Sequence, residues 1–206
     1  MQSIQTVSEN TIYVGASDRR LAKFENLFPI PRGVSYNAYV ILDEKTALLD
    51  TADASVGAQF LENVAAALDG RKLDYLIVDH MEPDHAAMIE AVLVRWPNLR
   101  LVVNAKTLPM LKMYFPTDSA AIDDALVVKE GDTLDLGKHK LTFVMAPMVH
   151  WPEVMMTFDT TTGTLFSADA FGTFGALEGA LFADEVDFAG KWLDDARRYY
   201  TNIVGK

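Results

Sequence analysis

The chain has no cysteine. Disulfides, thiolate-bound zinc, iron–sulfur clusters and a cysteine nucleophile are therefore excluded together, and any metal must be held by His, Asp, Glu or backbone oxygen. Basic residues are few: 18 Lys and Arg stand against 29 Asp and Glu, a formal net charge of −11. That sign opposes attraction to a polyphosphate backbone or an anionic membrane surface, so neither nucleic acid nor membrane is an expected partner. No run approaches the ~18 apolar residues that span a bilayer. The opening segment 1–6 also lacks the basic start and apolar stretch of a secretory signal, and the expectation is a soluble, cytoplasmic protein. Also lacking are a strand followed by Gly-x-Gly-x-x-Gly, a fixed-period repeat, a low-complexity tract and a Gly/Ser/Pro-rich linker.

What is present is a globular composition: of 206 residues, 50% are hydrophobic and 23% charged, enough to build a real core. The reading is one domain, 1–206. Thr11 to Gly15, Tyr36 to Leu42 and Thr46 to Asp50 have strand character, and the polar turn Asp43-Glu44-Lys45 makes a hairpin of the last two. Apolar positions at helical spacing predict a helix from Ser55 to Leu68, stopped by Asp69-Gly70. Leu73 to Val78 and Leu99 to Val103 are short apolar runs of the kind that form buried strands. Helices are predicted from Pro83 to Arg95 and Lys106 to Tyr114. Short strands follow at Ala125–Val128, Thr133–Leu136, His139–Met145, Val154–Phe158 and Thr164–Ser167, with a closing helix from Asp187, its expected N-cap, to Val204. This order of elements suggests an α/β fold of two packed sheets with helices on their outer faces.

The chemistry concentrates in His80-Met81-Glu82-Pro83-Asp84-His85, where a buried strand gives way to a helix. Residues two apart in an extended chain point the same way, so His80 and Glu82 converge. Pro83 suits a first helical turn, from which Asp84 and His85 project toward the crevice beyond the strand end. Four candidate metal ligands in six residues include two of the chain's four histidines; the competing reading is a helix-capping cluster. His150, before Trp151-Pro152, and Asp169, before Phe171-Gly172, are the next polar groups at strand ends, and Asp169 has two oxygens with which to bridge two metals. His139, beside Lys138 and Lys140, reads as a surface turn residue. Met145, Met148, Met155 and Met156 read as core filler. Gly172 to Gly179 reads as a flexible loop or lid.

His-x-Glu-x-Asp-His, the later His-Trp-Pro and the later Asp-Ala-Phe-Gly together resemble the metallo-β-lactamase-like domain of the flavodiiron proteins. Tyr13 to Ala16, Phe24-Glu25 and Pro29 to Tyr39 are similar to that family's opening. The resemblance implies a metallo-β-lactamase-like αββα sandwich of two packed mixed sheets flanked by helices, with its C-terminal part missing. It further implies that His80, Glu82 and His150 hold one iron, that Asp84 holds the other, and that Asp169 bridges them. His85 matches a position that is a ligand in some members and a close neighbour in others. The family reduces dioxygen to water or nitric oxide to nitrous oxide, with electrons from an FMN in a flavodoxin-like domain that a rubredoxin or similar carrier feeds. Its members form head-to-tail dimers, and a homo-oligomer is expected here.

A carboxylate at Glu82, where the hydrolytic relatives carry a second histidine, favours iron or manganese over zinc, and so redox chemistry over hydrolysis. A metal-dependent hydrolase and an inert copy are the alternative functions. The resemblance also implies that residue 206 falls before the family's last iron-ligating histidine and its flavodoxin-like domain. The second metal position would then be one ligand short unless His85, water or a partner chain completes it, and the first position would be the better filled. An uncovered sheet edge would favour self-association.

Overall fold

A computed structural model of the chain describes residues 3–116 and 119–205. The larger sheet has seven strands, β1 (Gln5–Ser8), β2 (Thr11–Tyr13), β7 (Tyr39–Leu42), β8 (Thr46–Leu49), β9 (Tyr75–Ile77), β10 (Arg100–Asn104) and β11 (Leu126–Val128), paired in that order. It is mixed: β1, β2, β7 and β8 pair antiparallel, while β8, β9, β10 and β11 are parallel. The smaller sheet, β12 (Thr133–Asp135), β13 (Lys140–Met145), β14 (Met155–Asp159) and β15 (Thr164–Phe166), is antiparallel throughout. Two short ribbons lie outside both sheets: β3 (Ala16–Asp18) with β6 (Val34–Tyr36), and β4 (Lys23–Phe24) with β5 (Phe28–Pro29).

Alternation along the central strands builds two cores. Leu48, Leu76, Leu101 and Val103 face one way, against Phe60 and Val64 of α1 (Gly57–Leu68), Ile89 and Val92 of α3 (Ile89–Arg95) and Leu111 of α4 (Thr107–Tyr114). Ala47, Leu49, Ile77 and Val102 face the other way, against Leu141, Phe143, Met155 and Phe166 of the smaller sheet. Because both faces of the larger sheet are covered at its centre, the central strands are near-continuously apolar. β14 instead alternates buried and half-buried. The outward row of the smaller sheet, Val144, Met156, Phe158 and Leu165, stays exposed or half-buried. No helix among the described residues is long and apolar enough to cross a membrane.

Several expected elements divide. The Tyr36–Leu42 strand is split: Val34–Tyr36 pairs with β3, and Tyr39–Leu42 joins the larger sheet. The Pro83–Arg95 helix breaks into α2 (Pro83–Ala86) and α3, because the carbonyl of His85 is taken by the backbone N–H and hydroxyl of Thr51 (2.8 and 2.6 Å). The closing helix becomes α6 (Phe188–Lys191), α7 (Leu193–Tyr199) and a π turn over Tyr200–Val204. Asp187 caps α6 as expected, accepting from Gly190 N–H at 3.0 Å. The short helix α5 (Ser119–Asp123) was not anticipated.

Three side-chain expectations are corrected. His139 is 1% exposed, not a surface residue, with Nδ1 2.8 Å from the buried Asp159 carboxylate. Met148 is 64% exposed rather than core filler. The 172–179 segment is anchored rather than a free lid: Phe174 and Ala176 are buried, and the Gly175 and Ala176 N–H groups bond to the carbonyls of Gly33 and Arg32.

Candidate metal centre

Four chain segments meet at one rim of the sandwich. β9 ends at Ile77 and delivers His80 and Glu82 in the connection to α2, and α2 carries Asp84 and His85. The connection between β13 and β14 carries His150, and the residues after β15 carry Asp169. Glu82 precedes the α2 first turn with extended backbone (φ −62°, ψ 146°) and Pro83 begins it, so an extended residue presents Glu82 and the helical turn presents Asp84 and His85. The larger sheet thus contributes four of the six expected ligands and the smaller sheet two.

Side-chain atoms of His80, Glu82, His150 and Asp169 gather in one group, and those of Asp84, His85 and Asp169 in a second. In the first, Nε2 of His150 lies 2.8 Å from Glu82 Oε2 and 3.1 Å from Asp169 Oδ2. Nε2 of His80 lies 3.3 and 3.4 Å from the same two oxygens. With metal–ligand bonds of about 2.1 Å, neighbouring ligand atoms stand about 3.0 Å apart in an octahedron and about 3.4 Å apart in a tetrahedron. The donor spacing therefore suits a coordination shell. In the second group His85 Nε2 is 2.9 Å from Asp169 Oδ1 and 3.8 Å from Asp84 Oδ2. One oxygen of Asp169 thus serves each group, as a bridging carboxylate requires.

The far sides of the His80 and His85 imidazoles are also engaged. Nδ1 of His80 lies 2.8 Å from Glu153 Oε1, which accepts the Met81 N–H as well. Nδ1 of His85 lies 3.0 Å from Asp50 Oδ2, and Asp50 Oδ1 accepts the Asp79 N–H at 2.7 Å. Such outer carboxylates leave Nε2 free to face a metal. Asp79 accepts in turn from the Thr157 hydroxyl, tying the cluster to β14.

The electrostatics report a cluster rich in negative charge. Burial by itself pushes the His80 ring down, but hydrogen bonds that the ring donates to Asp169, Glu153 and Glu82 outweigh it and hold the ring at about 11. His150 is raised to about 9 against the same burial by Asp169 and Glu82. Burial raises Asp84 to about 7; Asp169 and Glu82 add to the rise and His85 opposes it. Glu82 Oε1 and Asp84 Oδ1 are buried with no hydrogen-bond donor. Orphaned anionic oxygens beside imidazoles that must hold protons to balance them are the features a bound cation would relieve. The side chains present fit a pair of metal ions.

Residues 34–201 match the profile of the ODP family beta lactamases. The chain belongs to that family. It is a metallo-β-lactamase-like domain of the flavodiiron type, with 36% identity over 200 residues to a nitric oxide reductase of Moorella thermoacetica, covering 96% of this chain and 49% of that protein. It is equally 36% identical, over 211 residues, to an anaerobic nitric oxide reductase flavorubredoxin of Vibrio vulnificus, covering 96% of this chain and 40% of that one. Among solved structures, the flavodiiron protein of Giardia intestinalis superposes with a TM-score of 0.89 at 28% identity, over 100% of this chain and 49% of that one. The rubredoxin oxygen:oxidoreductase of Desulfovibrio gigas gives 0.90 at 32% identity, over 98% and 49%. The chain spans half or less of the length of these relatives.

All six residues expected to converge in this flavodiiron-type domain do so, and four that sequence reasoning passed over stand with them. Asp50 and Glu153 orient the two histidines. Tyr199, expected only as part of an apolar helix stripe, is buried, and its hydroxyl proton is held tightly by that burial and by the charge of Asp169. Glu25, quoted only as part of the family's opening, has its carboxyl raised to about 7 by Glu82 and by partial burial. An acid at a strand end, as at Leu49-Asp50, is a readable signal. Nothing local marks Glu153, Tyr199 or Glu25.

Proposed function

We propose that this domain holds two non-haem iron ions and reduces a diatomic gas, nitric oxide to nitrous oxide or dioxygen to water. The electrons would come from an FMN on another domain or chain that a rubredoxin-like carrier recharges. His80, Glu82, His150 and Asp169 would hold the first ion, and Asp84, His85 and Asp169 the second. The observation that carries this reading is the single Asp169 carboxylate aimed into both donor groups, with Glu82 supplying a hard anionic oxygen beside two imidazoles. Oxygen-rich donor sets suit iron and manganese. The names of the Moorella thermoacetica and Desulfovibrio gigas relatives, one for each gas, support both substrates.

When bound, the iron pair supplies electrons and open positions for the gas. The chain's own residues do the remainder. Glu153 and Asp50 hold the imidazole rings in one orientation, and Asp169 sets the spacing between the two positions. Trp151, edge-on to His80 at 5.4 Å, shields that ring from water. Because the first group has four donors and the second three, the first position would fill preferentially, and a second copy of the chain or water would complete the other.

Element-resolved metal analysis of freshly purified protein tests this. Iron or manganese, with the first position better occupied by anomalous scattering, is the expected result, together with gas consumption under a chemical reductant. Glu82→His should move the content toward zinc. Zinc in the wild type with hydrolysis of model esters would point to a hydrolase. Metal-free protein indifferent to His80→Ala would point to an inert domain.

A further inference from the structure

With no cysteine in the chain, methionine carries all of its sulfur chemistry. Among the described residues two methionines stand out in solvent, Met113 at 70% exposed and Met148 at 64%; Met81 and Met155 are buried, and Met88, Met110, Met145 and Met156 are half-buried. Met113 belongs to α4, which is none of the four segments that form the metal centre. Met148 belongs to the connection between β13 and β14, two residues before His150. Its N–H donates to the Trp151 carbonyl at 2.8 Å and closes residues 148–151 into a tight turn. Two residues of chain reach at most about 7 Å, so this turn holds Met148 beside a ligand of the first position. Neither packing nor backbone favours methionine there. Its φ is +68°, in the left-handed region that suits glycine, and its exposed side chain gains little from burial. A strained residue with no packing role points to a function.

The same turn is where the first position meets solvent. The His80, Glu82 and Asp169 side chains are at most 5% exposed, whereas that of His150 is 11% exposed. Trp151, half-buried, stands edge-on to both rings, 5.4 Å from His80 and 6.2 Å from His150. We propose that Met148 is a modification site: its thioether takes an oxygen atom from hydrogen peroxide released past His150 and becomes the sulfoxide. Dioxygen that gains two electrons and two protons, instead of four of each, leaves as peroxide; the reductant that feeds the centre supplies those electrons and water the protons. The sulfur then gives up two electrons as the O–O bond breaks. One oxygen bonds to sulfur, and the other departs as water with both protons. Methionine sulfoxide reductases restore the thioether, so a renewable group is oxidised in place of His150 and Trp151. The assignment rests on the metal-centre reading above, with dioxygen as substrate, and concerns a residue outside the two donor groups.

In the test, the chain is loaded anaerobically with Fe(II) and freed of unbound iron. It is then exposed to air with ascorbate as reductant and catalase to clear peroxide from the bulk, and the Met148 and Met113 peptides are followed by mass spectrometry. Met148 should gain an oxygen atom at least about tenfold faster than Met113. Hydrogen peroxide added to the metal-free chain without catalase should oxidise the two at rates within about threefold of each other, as their similar exposure requires. His80→Ala should abolish the preference for Met148. Met148→Leu should bind Fe(II) as tightly as wild type, yet lose binding capacity several-fold faster in air as oxidation shifts onto His150 and Trp151. Equal oxidation of Met148 and Met113 in the iron-loaded wild type, or a preference that His80→Ala retains, overturns the assignment of Met148 and leaves the metal centre standing. If the wild type binds no iron, both fall.

Discussion

His80 and His85 are each pinned between an inner and an outer carboxylate, and His150 faces two inner ones, which turns metal binding into an exchange of protons for a cation. Without metal, His80 at about 11 and His150 at about 9 both carry protons at neutral pH. A metal must expel them, so apparent affinity falls as the medium is acidified and rises with pH, more gently above about 9, where His150 no longer competes, and up to about 11, where His80 ceases to. The same shifts have a stability sign. A ring whose folded pKa lies above the unfolded value near 6.5 stabilises the metal-free fold fully below that value, and the contribution disappears as pH rises through about 9 and then about 11. Calorimetry in two buffers of different ionisation enthalpy should show more than one proton released per ion at the first position near neutrality; release of none would contradict the charge assignment.

At the same scale, Glu153→Gln keeps the shape but removes the charge behind His80, and should weaken metal binding about tenfold, the lower end of the effect of outer carboxylates. A chelator-competition assay with unchanged circular dichroism would show it. Glu153 is 73 residues from His80 in the chain, and that distance explains its invisibility in sequence. His80, Glu82, Asp84 and His85 could be read because strand and helix periodicity act over two to four residues. The partners that orient them come from other segments, whose approach no local spacing encodes.

Elements show the same division. The hydrophobic runs at Leu73–Val78 and Leu99–Val103 marked β9 and β10 because a strand covered on both faces is apolar throughout, a property of the strand alone. The break between α2 and α3 was not legible, since Thr51 causes it from outside the helix. Its hydroxyl and N–H occupy the His85 carbonyl, and the hydroxyl accepts the Met88 N–H at 3.3 Å. This clasp sets how far His85 projects toward Asp169. Thr51→Val removes the hydroxyl at nearly constant volume, strands the Met88 N–H and leaves the His85 carbonyl with the residue-51 N–H alone. The expected cost is about 1–3 kcal/mol, read from the urea midpoint, with lower metal stoichiometry at the second position. A variant as stable as wild type with both positions intact would mean that the clasp is incidental.

For the whole molecule, the question is what keeps two halves of a metal centre together when they arise from different sheets. His80, Glu82, Asp84 and His85 follow a strand of the larger sheet, whereas His150 and Asp169 belong to the smaller one, and the joint between the sheets is the apolar layer around Phe143, Met155, Ile77 and Val102. A packed sandwich could be inferred from the run of short strands; that its two sheets close at the same rim, with Asp169 opposite His85, could not, because that depends on how the layer interdigitates. Phe143 is fully buried at the centre of the layer. Phe143→Ala should cost about 3–5 kcal/mol, as truncation of a buried phenylalanine usually does. Because the cavity lies between the halves of the site, first-position affinity should fall too, even at low temperature where the variant stays folded. A core truncation of similar size on the helical side, Phe60→Ala, lies in the other core and should cost comparable stability while leaving affinity nearly unchanged. Denaturant midpoints and Mn(II) titrations of the two variants, side by side, separate a joint that positions the ligands from a core that only stabilises them; equal loss of affinity in both would rule the joint out.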